Sequence, residues 1–319
     1  MIRRLAPLLF ALLGCHAWAQ TYPIKSIQLI VPFAPGGGAD VAARVLASAL
    51  GTELHQSVVV ENVSGAGGTI GTAKAAHSAP DGYTLFLGTP STHGTNVAVY
   101  PHLDYDAVKD FAPVMLIGTS PFMLLTSPTF DAKSVKDLIA QAKAHPGQLN
   151  FASYGNGSIN HLVAELFNSL AGIDVGHVPY RGSAPAISDL IAGRVQYTFD
   201  GPAAIGQVKG HTVKLLAVTS KTRWSVFPDV PPVAESGVPG FEAITWFGLF
   251  APAGTPKPIL ALLNAKANAA IRTPAAGEGF AKLSIDVAGG APEVLAKRVR
   301  TEIDTWVDIA HKRNIRITD

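Results

Sequence analysis

The chain has a single cysteine, Cys15, in 319 residues. No internal disulfide can form, so stability has to come from burial. It has no surplus of one charge: 25 Lys and Arg stand against 23 Asp and Glu, and without Arg3 and Arg4 the count is 23 against 23. A neutral chain without basic runs argues against nucleic acid and anionic membrane surfaces as partners. Beyond the N-terminal segment no stretch approaches 18 uninterrupted apolar residues, the length a membrane-spanning helix needs. There is no repeat of fixed period, no low-complexity tract, no G-x-S-x-G and no H-E-x-x-H.

What is present begins with a leader. Arg3 and Arg4 precede the short apolar stretch Leu5 to Leu13, and Ala17-Trp18-Ala19 forms a small-residue cleavage site. This is the pattern of a secretory signal peptide over residues 1–19, cut before Gln20, which places the mature protein outside the cytoplasm. Leu12-Leu13-Gly14-Cys15 also resembles a lipobox, but Leu13 is an uncommon residue for its slot, and the cleavage-site reading is preferred.

Hydrophobic residues make up 48% of the chain, a globular composition. Its length exceeds what one core usually organises, so two lobes are expected. Strand patterns such as Ile27 to Pro32, Val58 to Val63 and Tyr83 to Leu87 alternate with helical periodicity, the signature of an α/β architecture. The helix starting at Ile159 has Leu162, Val163, Leu166, Phe167 and Leu170 on one face. Strands are also read at Val114 to Ile117 and Phe122 to Thr126, with Gly118 to Pro121 as the break between them. Two amphipathic helices close the chain, one from near Pro258 and one from Pro292 to His311. The chain is expected to cross between lobes near Leu116 to Ser120 and again near Ile244 to Phe250. That division gives lobe 1 as 20–118 and 247–319, and lobe 2 as 119–246.

Three times a strand runs into a glycine-rich turn that opens a helix: Pro32 to Asp40, Ser64 to Gly71, and Tyr154 to His161. Each offers unpaired backbone N–H groups at a helix N-terminus, which suits an anion by geometry and dipole. Such loops lie at the carboxyl ends of strands, where open α/β sheets bind ligands. None of the three is a dinucleotide loop, because Val41 and Ile70 stand where G-x-G-x-x-G requires glycine. Catalytic constellations are poor. His93 near Ser91 and Thr92 lacks a visible acid and oxyanion hole. His161 and Glu165, four apart on one helix, lack a third metal ligand. A hydrolase using His93 or His161 is the alternative to a binding function. The residues call for no cofactor and no metal.

The glycine loops, in order with the rest, resemble the tripartite tricarboxylate transporter substrate-binding family, the Bug or TctC-like receptors. The resemblance runs through Pro32 to Asp40, Gly65 to Gly71, Pro80 to Leu85, Gly155 to Ser158 with His161 and Leu162, and Pro179 to Gly182. It continues through Phe227 to Pro231, Glu235 to Gly237, Trp246, Gly248 and Ala251 to Pro256. Pro232 departs from it, since the family usually has threonine there. The resemblance implies a type II periplasmic binding protein fold, each lobe a mixed sheet flanked by helices, with the ligand cleft between them. It implies a receptor that holds a small carboxylate through backbone N–H groups and small polar side chains. Dicarboxylates, tricarboxylates, acidic amino acids and aromatic carboxylates all fit that description. A membrane permease of the tripartite type is the implied partner.

Carried over by position, the first-lobe contacts are Phe33, Gly36, Gly37, Gly38, Asp40, Gly67, Ser91 and Thr92. The second-lobe contacts are Gly155, Asn156, Gly157, Ser158, His161, Tyr180 and Asp200. Several have a structural reading of equal standing. Asp40 suits stabilisation of its own helix N-terminus and Asp200 a turn; for Arg181 a salt bridge between segments is preferred to a ligand contact.

Overall fold

The structure is a computed structural model and describes residues 22–317. The cleavage site and Cys15 lie outside the described residues. The chain first builds β1 (Ile27–Val31), α1 (Gly38–Leu54), β2 (Val58–Asn62), α2 (Thr69–Ala76) and β3 (Thr84–Gly88). A wide helical turn over Ser91–Thr95 leads into α3 (Asn96–Val99), followed by β4 (Phe111–Pro121). Next come β5 (Met123–Thr126), α4 (Val135–Ala144), β6 (Asn150–Ser153), α5 (Ile159–Ala171) and β7 (Gly176–Pro179). They are followed by α6 (Ser183–Ile191), β8 (Tyr197–Asp200), α7 (Ile205–Lys209) and β9 (Lys214–Val218). After the proline-rich stretch the chain ends with β10 (Ile244–Pro252), α8 (Lys257–Ala270), α9 (Pro274–Lys282), β11 (Asp286–Val287) and α10 (Pro292–Lys312).

Two mixed sheets result, ordered β11-β4-β10-β3-β1-β2 and β7-β6-β8-β5-β9. In the first, β1 runs parallel to β2 and β3, and β10 runs antiparallel to both β3 and β4. The carboxyl ends of β1 to β4 therefore share one edge. In the second, β6 is parallel to β7 and β8, and β5 is antiparallel to β8 and β9. The carboxyl ends of β6 to β9 share an edge with the start of β5. Phe122 alone separates β4 from β5, so the two carboxyl edges abut. This is how the sequence delivers loops from both sheets to one place.

Two expectations need correction. Gly118 to Pro121 does not break a strand; β4 runs through it to Pro121. Glycine is needed at 118 because a Cβ would lie 2.6 Å from Ile285 and 2.8 Å from the Asp286 carbonyl, where β11 crosses close by. And three helices, not two, follow β10. The unread one, α9, carries Gly277 and Gly279, which weaken the helical signal. A Cβ on Gly279 would meet Val45 of α1 at 2.9 Å, so close helix packing asks for glycine there.

The C-terminal helix joins the halves. It lies on the Ser91–Thr95 turn, α3 and β4, and reaches α5. Trp306, Ile309 and Ile315 are buried in one cluster with Val99, Leu162 and Leu166. Arg313, just beyond α10, pairs with Glu165 of α5 at 2.5 Å.

Candidate functional site

A cavity of about 910 Å³ opens where the two carboxyl edges meet. The first residues of three helices line it: Gly38 of α1, Ile159 of α5 and Ser183 of α6. The residue preceding each helix, Gly37, Ser158 and Gly182, makes no side-chain capping bond. Helices from both sheets thus present uncapped N-terminal amides, the partially positive end of each dipole, to one space. Apolar side chains including Phe122, Ile205, Phe247 and Leu283 cover much of the remaining wall, and the exposed Lys209 and Lys282 stand at its rim.

In the first half, three loops converge on Gly68. A Cβ there would touch Thr92 at 3.2 Å, Pro32 at 3.3 Å and the Phe33 ring at 3.5 Å, and its φ of +94° favours glycine. Phe33, Gly67 and Thr92 are thereby brought together. Gly36, Gly37 and Gly38 are exposed on the loop that opens α1, and Ser91 is half-buried nearby. Asn96 donates to the Gly67 carbonyl at 3.0 Å.

Asp40 does not face the cavity as a ligand contact. It is 3% exposed, accepts from the Gly36 N–H at 2.9 Å and from Arg44 at 3.0 Å, and takes Asn62 Nδ2 on its other oxygen at 3.0 Å. The Arg44 hydrogen bond is the main reason its pKa falls to about 2. Its task is to fold the glycine loop. Thr92 is likewise buried, with its hydroxyl between the Thr89 amide and carbonyl and 2.9 Å from His93 Nδ1.

His93 is fully buried, stacked on Phe250 with ring centroids 4.2 Å apart and edged by Phe111. Burial drives its pKa down to about 3. The ring is sealed among aromatic side chains and does not line the cavity. Trp246 belongs to the same buried cluster.

In the second half, the loop after β6 satisfies most of its own donors. Gly157 N–H donates to His161 Nδ1 at 3.1 Å, and Gly155 N–H to Ser153 Oγ at 3.2 Å. The Ser158 hydroxyl is directed at the Gly155 carbonyl, 2.6 Å away, and at Asn160 Oδ1, 2.9 Å away. In this arrangement the hydroxyl closes the loop rather than pointing at an anion. His161 is a buried loop bolt, its ring stacked on His177 and its pKa pushed down to about 3, chiefly by burial. Glu165 Oε1 lies 3.9 Å from His161 Nε2, and its other oxygen pairs with Arg313. Among the described residues, no three His, Cys, Asp or Glu side chains gather where they could hold a metal ion.

Asn156 is exposed, with its amide 3.4 Å from the Arg316 carbonyl. The Tyr180 hydroxyl donates to Asp189 at 2.8 Å, which also binds Arg194, and Tyr180 does not line the cavity. Arg181 is exposed and makes no ion pair among the described residues, so the salt bridge expected of it has no partner. Asp200 does line the cavity, 1% exposed, with Ser183 donating to its Oδ2 at 2.7 Å. Tyr154, Ile159 and Ser183 also line it and were missed in the sequence. Ser183 had a legible signal: it follows Gly182 and opens a helix, like the other loops.

Residues 42–315 match the family model described as the tripartite tricarboxylate transporter family receptor. Protein BugT of Bordetella pertussis is 40% identical over 301 residues, covering 94% of this chain and 92% of that protein. A solved structure of Rpa4515 from R. palustris with adipate is 36% identical, with TM-score 0.79, and spans 93% of this chain and all of that one. MatC of Rhodopseudomonas palustris, solved with bound malate, is 38% identical with TM-score 0.75, over 90% of this chain and 99% of that one. Fold and sequence agree along nearly the whole described length, and the chain belongs to the tripartite tricarboxylate transporter family of receptors.

Proposed function

We propose that this protein is a periplasmic solute receptor that closes two lobes around a small carboxylate. The observation that carries this reading is the cavity into which α1 and α5, from different sheets, direct uncapped N-termini. A carboxylate there meets oriented N–H donors without the cost of desolvating a buried counter-ion. The adipate and malate held by two relatives have that chemistry. Gly38 and Asp200 line the cavity as it stands, and in this reading Phe33, Gly36, Gly37 and Gly155 to Ser158 complete the two walls when the lobes close. Lobe 1 comprises 20–118 and 247–319, lobe 2 119–246. Export follows cleavage after Ala19, and the cargo passes to a membrane permease of the tripartite type. The protein binds rather than turns over its ligand; the settings of His93 and His161 support this.

The test is a thermal-shift screen of dicarboxylates, tricarboxylates, acidic amino acids and aromatic carboxylates. A true ligand stabilises the fold by about 2.7 kcal/mol at one hundred times its Kd. Turnover of any of these compounds that disappears in a His93 or His161 variant would establish the enzyme instead.

A further inference from the structure

Asp200 is a buried carboxylate in the wall of a binding cavity, and no Lys, Arg or His among the described residues pairs with it. It ends β8 and is set in place by Ser183, whose hydroxyl donates to Oδ2 at 2.7 Å. The buried Tyr154 hydroxyl lies beside it, close enough to stabilise its charge although outside ideal hydrogen-bond geometry. The amide of Gly201 and the N-terminus of α6 give partial compensation. A carboxylate removed from water holds its charge only with donors around it. Here the surrounding donors are neutral hydroxyls and one backbone amide, and no cation completes the set. Apolar groups such as Phe122 and Phe247 line the same space, so little water solvates it.

A second ligand carboxylate next to Asp200 would face a like charge in a poorly solvated site. A ligand N–H or O–H would find an acceptor there, with the Tyr154 hydroxyl beside it. We infer that Asp200, positioned by Ser183, determines specificity by accepting a hydrogen bond from the ligand end remote from its carboxylate, and by rejecting a second carboxylate at that end. The ligand class is then a monocarboxylate ending in a carboxamide, alcohol or ammonium group. This deepens the receptor reading and rests on it. Burial raises the Asp200 pKa, against the opposing pull of the Tyr154 and Ser183 hydroxyls and the Gly201 amide.

The experiment uses isosteric pairs. Calorimetry at pH 7 compares succinate, glutarate and adipate with their monoamides, on the full mature chain and on Asp200→Asn. The wild-type protein should bind at least one monoamide tenfold or more tighter than the matching diacid. Asp200→Asn, which keeps the shape and removes the charge, should erase that preference. Ser183→Ala should reduce it while leaving the fold intact by thermal melting. A wild-type preference for the diacids overturns the inference without any variant, because it means Asp200 is protonated or faces away. A monoamide preference that survives in Asp200→Asn overturns it too. Binding of neither series overturns the ligand class inferred here and leaves the receptor reading to the wider carboxylate screen, whereas diacid binding alone removes only the role given to Asp200.

Discussion

Thr219 and Phe122 are joined by three hydrogen bonds at the point where the chain passes between its two sheets. The Phe122 N–H donates to Thr219 Oγ1 at 2.7 Å, and the Phe122 carbonyl accepts from the Thr219 hydroxyl and amide, both at 3.0 Å. The Thr219 carbonyl in turn accepts from Ala243 at 3.0 Å, one residue before β10 carries the chain back. One fully buried threonine therefore fastens both crossings.

Thr219→Val keeps the shape and removes the hydroxyl. It leaves the buried Phe122 amide without its partner, which costs about 1–3 kcal/mol. Urea unfolding should show that loss, and amide exchange should rise first at Phe122. A stability equal to wild type would mean that the crossing is held by backbone pairing alone.

Gly157 has a φ of +72°, and a Cβ there would lie 3.1 Å from Ile317 and 3.4 Å from Val99. The obstruction is against the C-terminal tail and α3. Left-handed backbone costs a non-glycine residue about 1–2 kcal/mol before any clash. Gly157→Ala should lower the melting temperature, and Gly157→Val should lower it further because it is branched. Unchanged melting in both would show that the tail yields without cost.

Ser158→Ala tests whether the hydroxyl closes the loop or touches ligand. A lost neutral hydrogen bond costs about 0.5–1.5 kcal/mol of stability. The structure predicts that loss with affinity reduced by less than tenfold. A fall of about tenfold to a hundredfold, the value of a bond to a charged group, would mean that the hydroxyl rotates to the ligand on binding.

These roles mark what the sequence could carry. The glycine loops were legible because glycine gathers where a strand turns into a helix. The α5 face was legible from its periodicity, and Ser134 does cap α4 by accepting from the Asp137 amide. Isolated glycines misled: Gly118 and Gly279 answer to neighbours far along the chain, Ile285 and Val45, which local spacing does not reveal. Ser158, Thr92 and Asp40 looked like donors or contacts, yet their polar atoms are consumed by their own loops. Whether a polar group is spent or free depends on atoms brought up by folding. Tyr154 stood within a glycine loop, and only the abutment of two sheets makes it part of a wall.

The depressed histidines set a pH dependence whose sign follows from proton counting. Burial lowers His93 and His161 to about 3 and His177 to about 4, against about 6.5 in an unfolded chain. Between these values the unfolded chain binds more protons, so acidification favours it. Stability contributed by the neutral imidazoles is full above about pH 6.5, falls as the pH drops towards 4, and levels off near 3. Glu302 opposes this, because burial raises its pKa to about 7 and the folded state holds its proton where the unfolded state does not. Its contribution declines as the pH rises from about 4.3 to 7 and offsets roughly one histidine. His93→Phe isolates one of these protons. The new ring would sit among Phe86, Phe111 and Phe250, although the Thr92 hydroxyl loses its imidazole neighbour. Urea unfolding at pH 4.5, 5.5 and 6.5 should give a curve less steep than wild type by about one proton, or about 1.4 kcal/mol per pH unit. Parallel curves would mean that His93 takes up its proton in the folded state as readily as in the unfolded one, which a ring sealed among aromatic groups should not do.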